Sequence, residues 1–165
     1  VAKYAIGLGS NLGDRFAIMR QAVDSLGELG ELLSVSSLYE TAPIGGPSQG
    51  PYLNAVVLID TELGLDELMR SLFAIERSAG RERDVRWGPR LLDLDILCGE
   101  QRKESTRLVT LPHPRAALRR FVLEPLIEVW PEAHIGDTPA KELIDATLDQ
   151  EVDRLTAEWL GVDPG

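Results

Sequence analysis

The sequence predicts an α+β domain: an antiparallel sheet with its helices gathered on one face. Three observations predict it. Two stretches carry apolar residues at helical spacing, several runs rich in β-branched and aromatic residues lie around them, and glycine or proline marks the junctions.

Taken in order, YAIGLGS (4 to 10) reads as a buried strand entering a glycine turn, and Asn11 to Asp14 supply helix-start chemistry. Met19, Ala22, Val23, Leu26 and Leu29 then mark one helix face, with Gly30 placed to stop it. LLSVSSLYE (32 to 40) alternates as a strand should, and YLNAVVLIDT (52 to 61) has strand composition, so the two are expected to pair. Between them TAPIGGPSQGP (41 to 51) holds too many prolines and glycines for a regular element and reads as a long loop able to close over a ligand. Leu68, Leu72, Ile75 and Ala79 define a second helix face ended by Gly80. The loop RERDVRWGPR (81 to 90) leads into the strand LLDLDILC (91 to 98). The order is β-α-β-β-α-β, a ferredoxin-like βαββαβ core whose second sheet face is left for ligand. Further on, a short apolar run (106 to 112) precedes a helical piece around Arg115 to Glu128, and Leu148, Val152, Leu155 and Trp159 predict a C-terminal helix packed on the same domain.

The 165 residues are expected to form one domain, 1 to 165, large enough to bury a core without staples. Cys98 is the only cysteine, which excludes an internal disulfide or a cysteine-rich zinc site and suits a small core side chain. A net charge of -10 argues against general nucleic-acid binding, so any phosphate ligand needs a local cluster of cations. No apolar run reaches bilayer length and no secretory pattern opens the chain, so a cytoplasmic, membrane-free protein is expected, and a monomer.

Strand parity puts Asp93 and Asp95 side by side, with Leu92, Leu94, Ile96 and Cys98 on the opposite face. Adjacent carboxylates repel, and a divalent cation relieves them; oxygen-only ligands with room for water and phosphate favour Mg²⁺. Asp-x-Asp alone is more often a solvated pair of acids. Arg77, Arg81, Arg83, Arg86 and Arg90 just before it tip the balance, because the guanidinium fork matches phosphate oxygens, although such a run alone is more often a solvated loop. Tyr52 and Asn54 share a strand face, and the Asn54 amide offers the donor and acceptor that a guanine-like or pterin edge requires. Phe121 offers a stacking surface, and His113, between Pro112 and Pro114, a donor in a rigid loop. Gly7, Gly9 and Gly13 miss the G-x-G-x-x-G spacing and no G-x-x-x-x-G-K-[ST] occurs, which removes Rossmann and P-loop readings.

The string RWGPRLLDLDIL (86 to 97) resembles the diagnostic pattern of the hydroxymethyldihydropterin pyrophosphokinase family. The resemblance continues through GLGSNLGDR (7 to 15), YETAPIGG (39 to 46), YLNAVV (52 to 57), IERSAGR (75 to 81) and LPHPRAALRRFVLEPL (111 to 126), in the family's order. It implies transfer of pyrophosphate from ATP to 6-hydroxymethyl-7,8-dihydropterin with release of AMP, in folate biosynthesis. It also implies that Asp93 and Asp95 hold a pair of Mg²⁺ ions, and that Arg81 and Arg90 are the loop cations that assist transfer. Thr41, Pro43, Ile44 and Asn54 would hold the pterin edge, with Tyr52 and Phe121 on its faces. Glu76, Arg83, Thr110, His113 and Arg119 would meet ATP, with Trp87 packing the loop. Where some members carry an arginine five residues before His113, this chain has Leu108, with Arg107 one place earlier. An ordinary kinase releasing ADP and a non-catalytic ligand-binding module on the same scaffold are the other readings.

Overall fold

The computed structural model of the chain describes residues 1–10, 14–41, 52–80 and 91–160. Strand β1 (Ala2–Ser10) leads to helix α1 (Arg15–Gly27), whose first turn is capped by the Asp14 carboxylate accepting from the Ala17 N–H at 3.1 Å. Met19, Ala22, Val23 and Leu26 form its buried face, as the spacing predicts. Gly30 follows because a Cβ there would collide with the Asp60 carbonyl oxygen. The predicted second strand is divided into β2 (Glu31–Val35) and β3 (Leu38–Thr41). Both pair with β4 (Tyr52–Thr61), and the break between them comes from Ser36. Its hydroxyl accepts the Val56 N–H at 2.9 Å while its own N–H donates to the Val56 carbonyl, so one side chain takes a place in the ladder.

Helix α2 (Leu65–Ala79) buries Leu65, Leu68, Met69 and Leu72 against the same sheet face as α1, and β5 (Asp93–Gly99) and the C-terminal β10 (Asp153–Thr156) complete the order β10-β3-β4-β1-β5, with β2 also on β4. The hairpin of β6 (Glu104–Ser105) and β7 (Thr110–Leu111), a 3₁₀ turn at Ala116–Leu118, helix α3 (Arg120–Val129), the pair β8 (His134–Ile135) and β9 (Thr138–Pro139), and short helix α4 (Ala140–Leu143) follow. The antiparallel pairing and the βαββαβ order agree with the sequence expectation. Among the described residues no helix is long and apolar enough to cross a membrane.

Two cores share the sheet. One lies under α1 and α2 and holds Ile6, Leu8, Leu53, Val57, Leu94 and Ile96. The other lies under α3 and holds Ala5, Val56, Leu58, Leu97, Leu123 and Leu126. Because both faces of β4 are covered, Leu53 to Ile59 form an unbroken buried run.

Two expectations are corrected. Cys98 does not share a face with Leu94 and Ile96: a bulge leaves Leu97 without a partner between the pairs Ile6–Ile96 and Ala5–Cys98, which reverses the parity and turns Cys98 toward the α3 core. Burial there pushes its thiol pKa up to about 12, so it is a protonated core side chain.

The second correction concerns the C-terminal stripe, which forms no helix. Residues Asp153–Thr156 become β10 and pair with β3, because β3 otherwise leaves an open sheet edge. Leu148 and Leu155 are exposed, whereas Trp159 is buried in the first core and its indole N–H donates to the Ser36 carbonyl at 2.8 Å. The edge is also tied to α3. Ser37 and Tyr39 both donate to the Glu128 carboxylate, and the Arg154 guanidinium donates to the Ser37 hydroxyl at 3.0 Å. Truncating this anchor with Trp159→Ala is expected to cost about 3–5 kcal/mol in a urea titration. Trp159→Phe, which forfeits mainly the hydrogen bond, should cost about 1 kcal/mol. Equal stability of Trp159→Ala and the parent would show that the C-terminal strand is not held this way.

Candidate active site

The second sheet face is covered by α3 at one end and opens at the other into a cleft of about 810 Å³. Its floor is β1, where Gly7 and Gly9 point no side chain upward. Side chains there would also crowd the cleft lining: a Cβ on Gly9 would stand 3.3 Å from the Asn54 Oδ1, and one on Gly7 3.2 Å from the Leu97 side chain.

Pairing register then places the chemistry. Gly9 sits opposite Asn54 on β4 and opposite Asp93 on β5; Gly7 sits opposite Val56 and Asp95. With strands spaced about 4.8 Å apart, Asn54 and Asp93 stand roughly 10 Å apart across a bare glycine, on one face. That interval admits a flat two-ring heterocycle between an amide and a carboxylate. Asn54 is only 6 % exposed, and its Nδ2 donates to the Thr41 Oγ1 at 3.0 Å, which aims the amide. Tyr52 flanks it on β4.

Across the cleft the Arg119 guanidinium lies over the Phe121 ring, 5.4 Å from its centroid. Asp95 is exposed and Asp93 half-buried. His113 Nε2 is 3.8 Å from Asp95 Oδ1. The His113 Nδ1 accepts the Arg115 N–H at 3.2 Å, and the His113 N–H donates to the Leu97 carbonyl at 2.9 Å, so the ring is held at both ends of its residue. An accepting Nδ1 makes the neutral ring an Nε2–H donor facing the carboxylates.

Of the residues singled out from sequence, Thr41, Tyr52, Asn54, Asp93, Asp95, His113, Arg119 and Phe121 all line this cleft. Thr110, on β7, is exposed and paired with Ser105 outside it. Glu76 reaches β5 from the opposite, helical face: its Oε2 accepts the Leu94 N–H at 2.8 Å, at the backbone between the two aspartates. Pro43, Ile44, Arg81, Arg83, Trp87 and Arg90 lie outside the described residues. Arg107 contributes elsewhere. The Thr106 hydroxyl and, more weakly, the Leu108 N–H, Arg70 and Arg107 hold the Asp66 carboxyl below the usual carboxylate range. The cleft also includes Arg115, Leu97 and a C-terminal stretch, Gln150 to Val152, which the sequence reading did not select. Arg115 had a signal in its place beside His113, whereas the C-terminal stretch had none.

The donor set suits a hard cation. Among the described residues no group of three or more His, Cys, Asp or Glu side chains is assembled, so the pair Asp93 and Asp95 would hold Mg²⁺ only together with oxygens from water or a phosphate ligand. Asp93 already interacts with its surroundings within the protein.

A family model for 7,8-dihydro-6-hydroxymethylpterin-pyrophosphokinase (HPPK) matches residues 5–131. The chain belongs to the HPPK family. It is 42% identical over 160 residues to the 2-amino-4-hydroxy-6-hydroxymethyldihydropteridine pyrophosphokinase of Bacillus subtilis, covering 96% of this chain and 92% of that protein. The Methylorubrum extorquens protein of the same name is 41% identical over 146 residues, 87% of this chain and 92% of its own length. Among solved structures, wild-type Plasmodium falciparum HPPK-DHPS with pteroate superposes with a TM-score of 0.70 at 13% identity. That alignment covers 89% of this chain and 44% of the solved chain, so it speaks for the fold of the HPPK part alone. The βαββαβ sheet is therefore the HPPK scaffold, and the cleft lies on the face opposite α1 and α2.

The geometry at His113 generates a prediction. In a ¹⁵N-histidine spectrum at pH 8 its Nε2 should be protonated and its Nδ1 bare; a protonated Nδ1 would mean that the Arg115 N–H does not set the tautomer.

Proposed function

We propose that this protein transfers the terminal pyrophosphoryl group of ATP to the hydroxymethyl oxygen of 6-hydroxymethyl-7,8-dihydropterin, releasing AMP, in folate biosynthesis. Membership of the HPPK family across residues 5–131 is the observation that carries this reading. The near full-length match to proteins named for that activity supports it.

The pterin lies over Gly7 and Gly9 between Phe121 and Tyr52, with its amino and oxo edge against Asn54 and Thr41. Register supports this placement, since Asn54 stands across Gly9 from the carboxylates and the hydroxymethyl arm then points at Asp93 and Asp95. The pterin oxygen attacks the β-phosphorus in line. A new O–P bond forms as the bond between that phosphorus and the α-phosphate oxygen breaks, AMP departs, and the hydroxyl proton is given up to solvent. Asp93 and Asp95 would hold Mg²⁺, a pair of ions in this reading, which when bound would neutralise phosphate charge. His113 donates through Nε2–H to a phosphate oxygen, and Arg119 adds positive charge at the same mouth. By the family resemblance, Arg81 and Arg90 would complete the cation set, Arg83 and Trp87 would serve ATP binding, and Pro43 and Ile44 pterin binding. Glu76 and Thr110 do not line the cleft, which supports indirect roles toward ATP: Glu76 through the Leu94 N–H and Thr110 through its hairpin. Two cores on one sheet fit a single catalytic domain; in this proposal it acts in the cytoplasm and as a monomer.

Incubation with ATP, Mg²⁺ and the pterin alcohol, followed by chromatography of the nucleotides, should show AMP formed only when the pterin is present. Release of ADP instead would replace this reading with an ordinary kinase, and absence of any product with a binding module. In the same assay Asp95→Ala is expected to lose at least about a thousandfold in rate, about 4 kcal/mol of transition-state stabilisation. Activity near that of the parent would remove Asp95 from the metal site.

A further inference from the structure

The stretch from Gln150 to Val152 lies beyond residues 5–131, the part of the chain that the family model spans, yet it forms one wall of the cleft. The contact is specific. Arg119 joins the 3₁₀ turn at Ala116–Leu118 to helix α3 in an extended conformation, φ −122° and ψ 116°. An extended residue turns the carbonyl before it and the N–H after it to the same side, as in a parallel bridge. The side-chain amide of Gln150 meets both: its Nε2 donates to the Leu118 carbonyl at 2.8 Å, and its Oε1 accepts the Arg120 N–H at 2.9 Å. The contact is reciprocated, since the Arg120 Nη1 donates to the Gln150 carbonyl at 2.8 Å while its Nε donates to Glu124 at 3.1 Å. The Gln150 N–H donates to the Thr147 carbonyl at 3.0 Å, which fixes the turn carrying the amide.

We infer that Gln150 is a positioning residue for the pterin-stacking wall: by gripping the backbone on both sides of Arg119 it fixes the orientation of Arg119 and Phe121, and so the affinity for the heterocycle. The inference rests on the proposed placement of the pterin against Phe121. The physical requirement is narrow. A primary amide offers a donor and an acceptor at the right separation for this bridge, whereas an ionised glutamate only accepts and an apolar residue does neither. Loss of the clamp frees the rotation of the Arg119 peptide units and lets the ring, with the guanidinium on it, swing relative to the glycine floor. The nucleotide phosphates, held mainly from Asp93 and Asp95 on β5 and from His113 in the turn after β7, lose only the contribution of Arg119, so the pterin is weakened more than ATP.

The test compares Gln150→Ala, Gln150→Glu and Phe121→Ala in pterin titrations with a non-hydrolysable ATP analogue present, alongside the KM for ATP and a urea midpoint. Both Gln150 variants should raise the pterin dissociation constant about tenfold while the KM for ATP changes by no more than about threefold, the loss expected when a part-buried bridge of two hydrogen bonds is broken. Gln150→Glu keeps the acceptor for Arg120 but not the donor for Leu118, and it should fall with Gln150→Ala and not with the parent. If pterin affinity is unchanged in folded Gln150 variants but weakened by Phe121→Ala, the clamp is wrong and the stacking wall stands. If Phe121→Ala itself leaves pterin affinity unchanged, the stacking wall falls and the clamp with it. Equal loss of pterin and ATP affinity, or failure of both Gln150 variants to fold, would assign Gln150 to general stability and overturn the inference.

Discussion

The register of β1 between β4 and β5 is the constraint on which the site depends. It sets Asn54, Gly9 and Asp93 in one row across three strands and Val56, Gly7 and Asp95 in the next. A slip of one residue in either pairing would turn the amide or the carboxylates to the helical face, because strand side chains alternate. The apolar residues that oppose slippage are on that helical face: Ile6 and Leu8 on β1, Leu53 and Val57 on β4, Leu94 and Ile96 on β5 are all buried under α1 and α2. Stability and chemistry thus occupy opposite faces of the same strands, and packing on one face fixes the geometry of the other.

The division along the open face follows from side-chain size. On β1 the upward residues run Ala5, Gly7, Gly9. Helix α3 packs over Ala5, Val56, Leu58 and Leu97, where side chains fill the space beneath it, and the cleft opens where glycine leaves the sheet bare. The bulge at Leu97 marks the boundary: beyond it Cys98 joins the α3 core, and before it Asp93 and Asp95 keep the alternation that the site requires. The exposed edge of β5 is tied down where it matters, since Glu76 occupies the outward Leu94 N–H between the two acids.

Much of this was legible in the sequence because it depends on period and on short-range residue type. Helix faces such as Met19, Ala22, Val23, Leu26 follow from spacing alone, and parity alone brings Asp93 to Asp95 and Tyr52 to Asn54. The RWGPRLLDLDIL string, read as a family pattern, supplied the reaction that spacing does not specify. What was hidden depended on partners distant in the chain. The role of Gly7 and Gly9 appears only when Asn54 and Leu97 are seen at their Cβ positions. The split at Ser36 needs the ladder to β4, where a serine hydroxyl stands in for backbone. The bulge that reverses Cys98 has no local signature in DLDILCG.

The C-terminal stripe shows how a correct period leads to a wrong element. Leu148, Val152, Leu155 and Trp159 do recur at helical spacing, but a helix there would leave β3 as an unpaired edge and the Glu128 carboxylate without Arg154. Pairing β10 with β3 satisfies that edge, buries Trp159 beneath the opposite face, and leads the preceding turn past the mouth of the cleft, where the Gln150 amide meets Arg119's two peptide units. Local propensity is worth a few tenths of a kcal/mol per residue, roughly, whereas a buried tryptophan and a closed sheet edge are worth several, so tertiary pairing decides the element. The same competition explains why a segment without a site motif in its own sequence ends as part of the site: its course is dictated by the sheet edge it closes, and the cleft lies on that course.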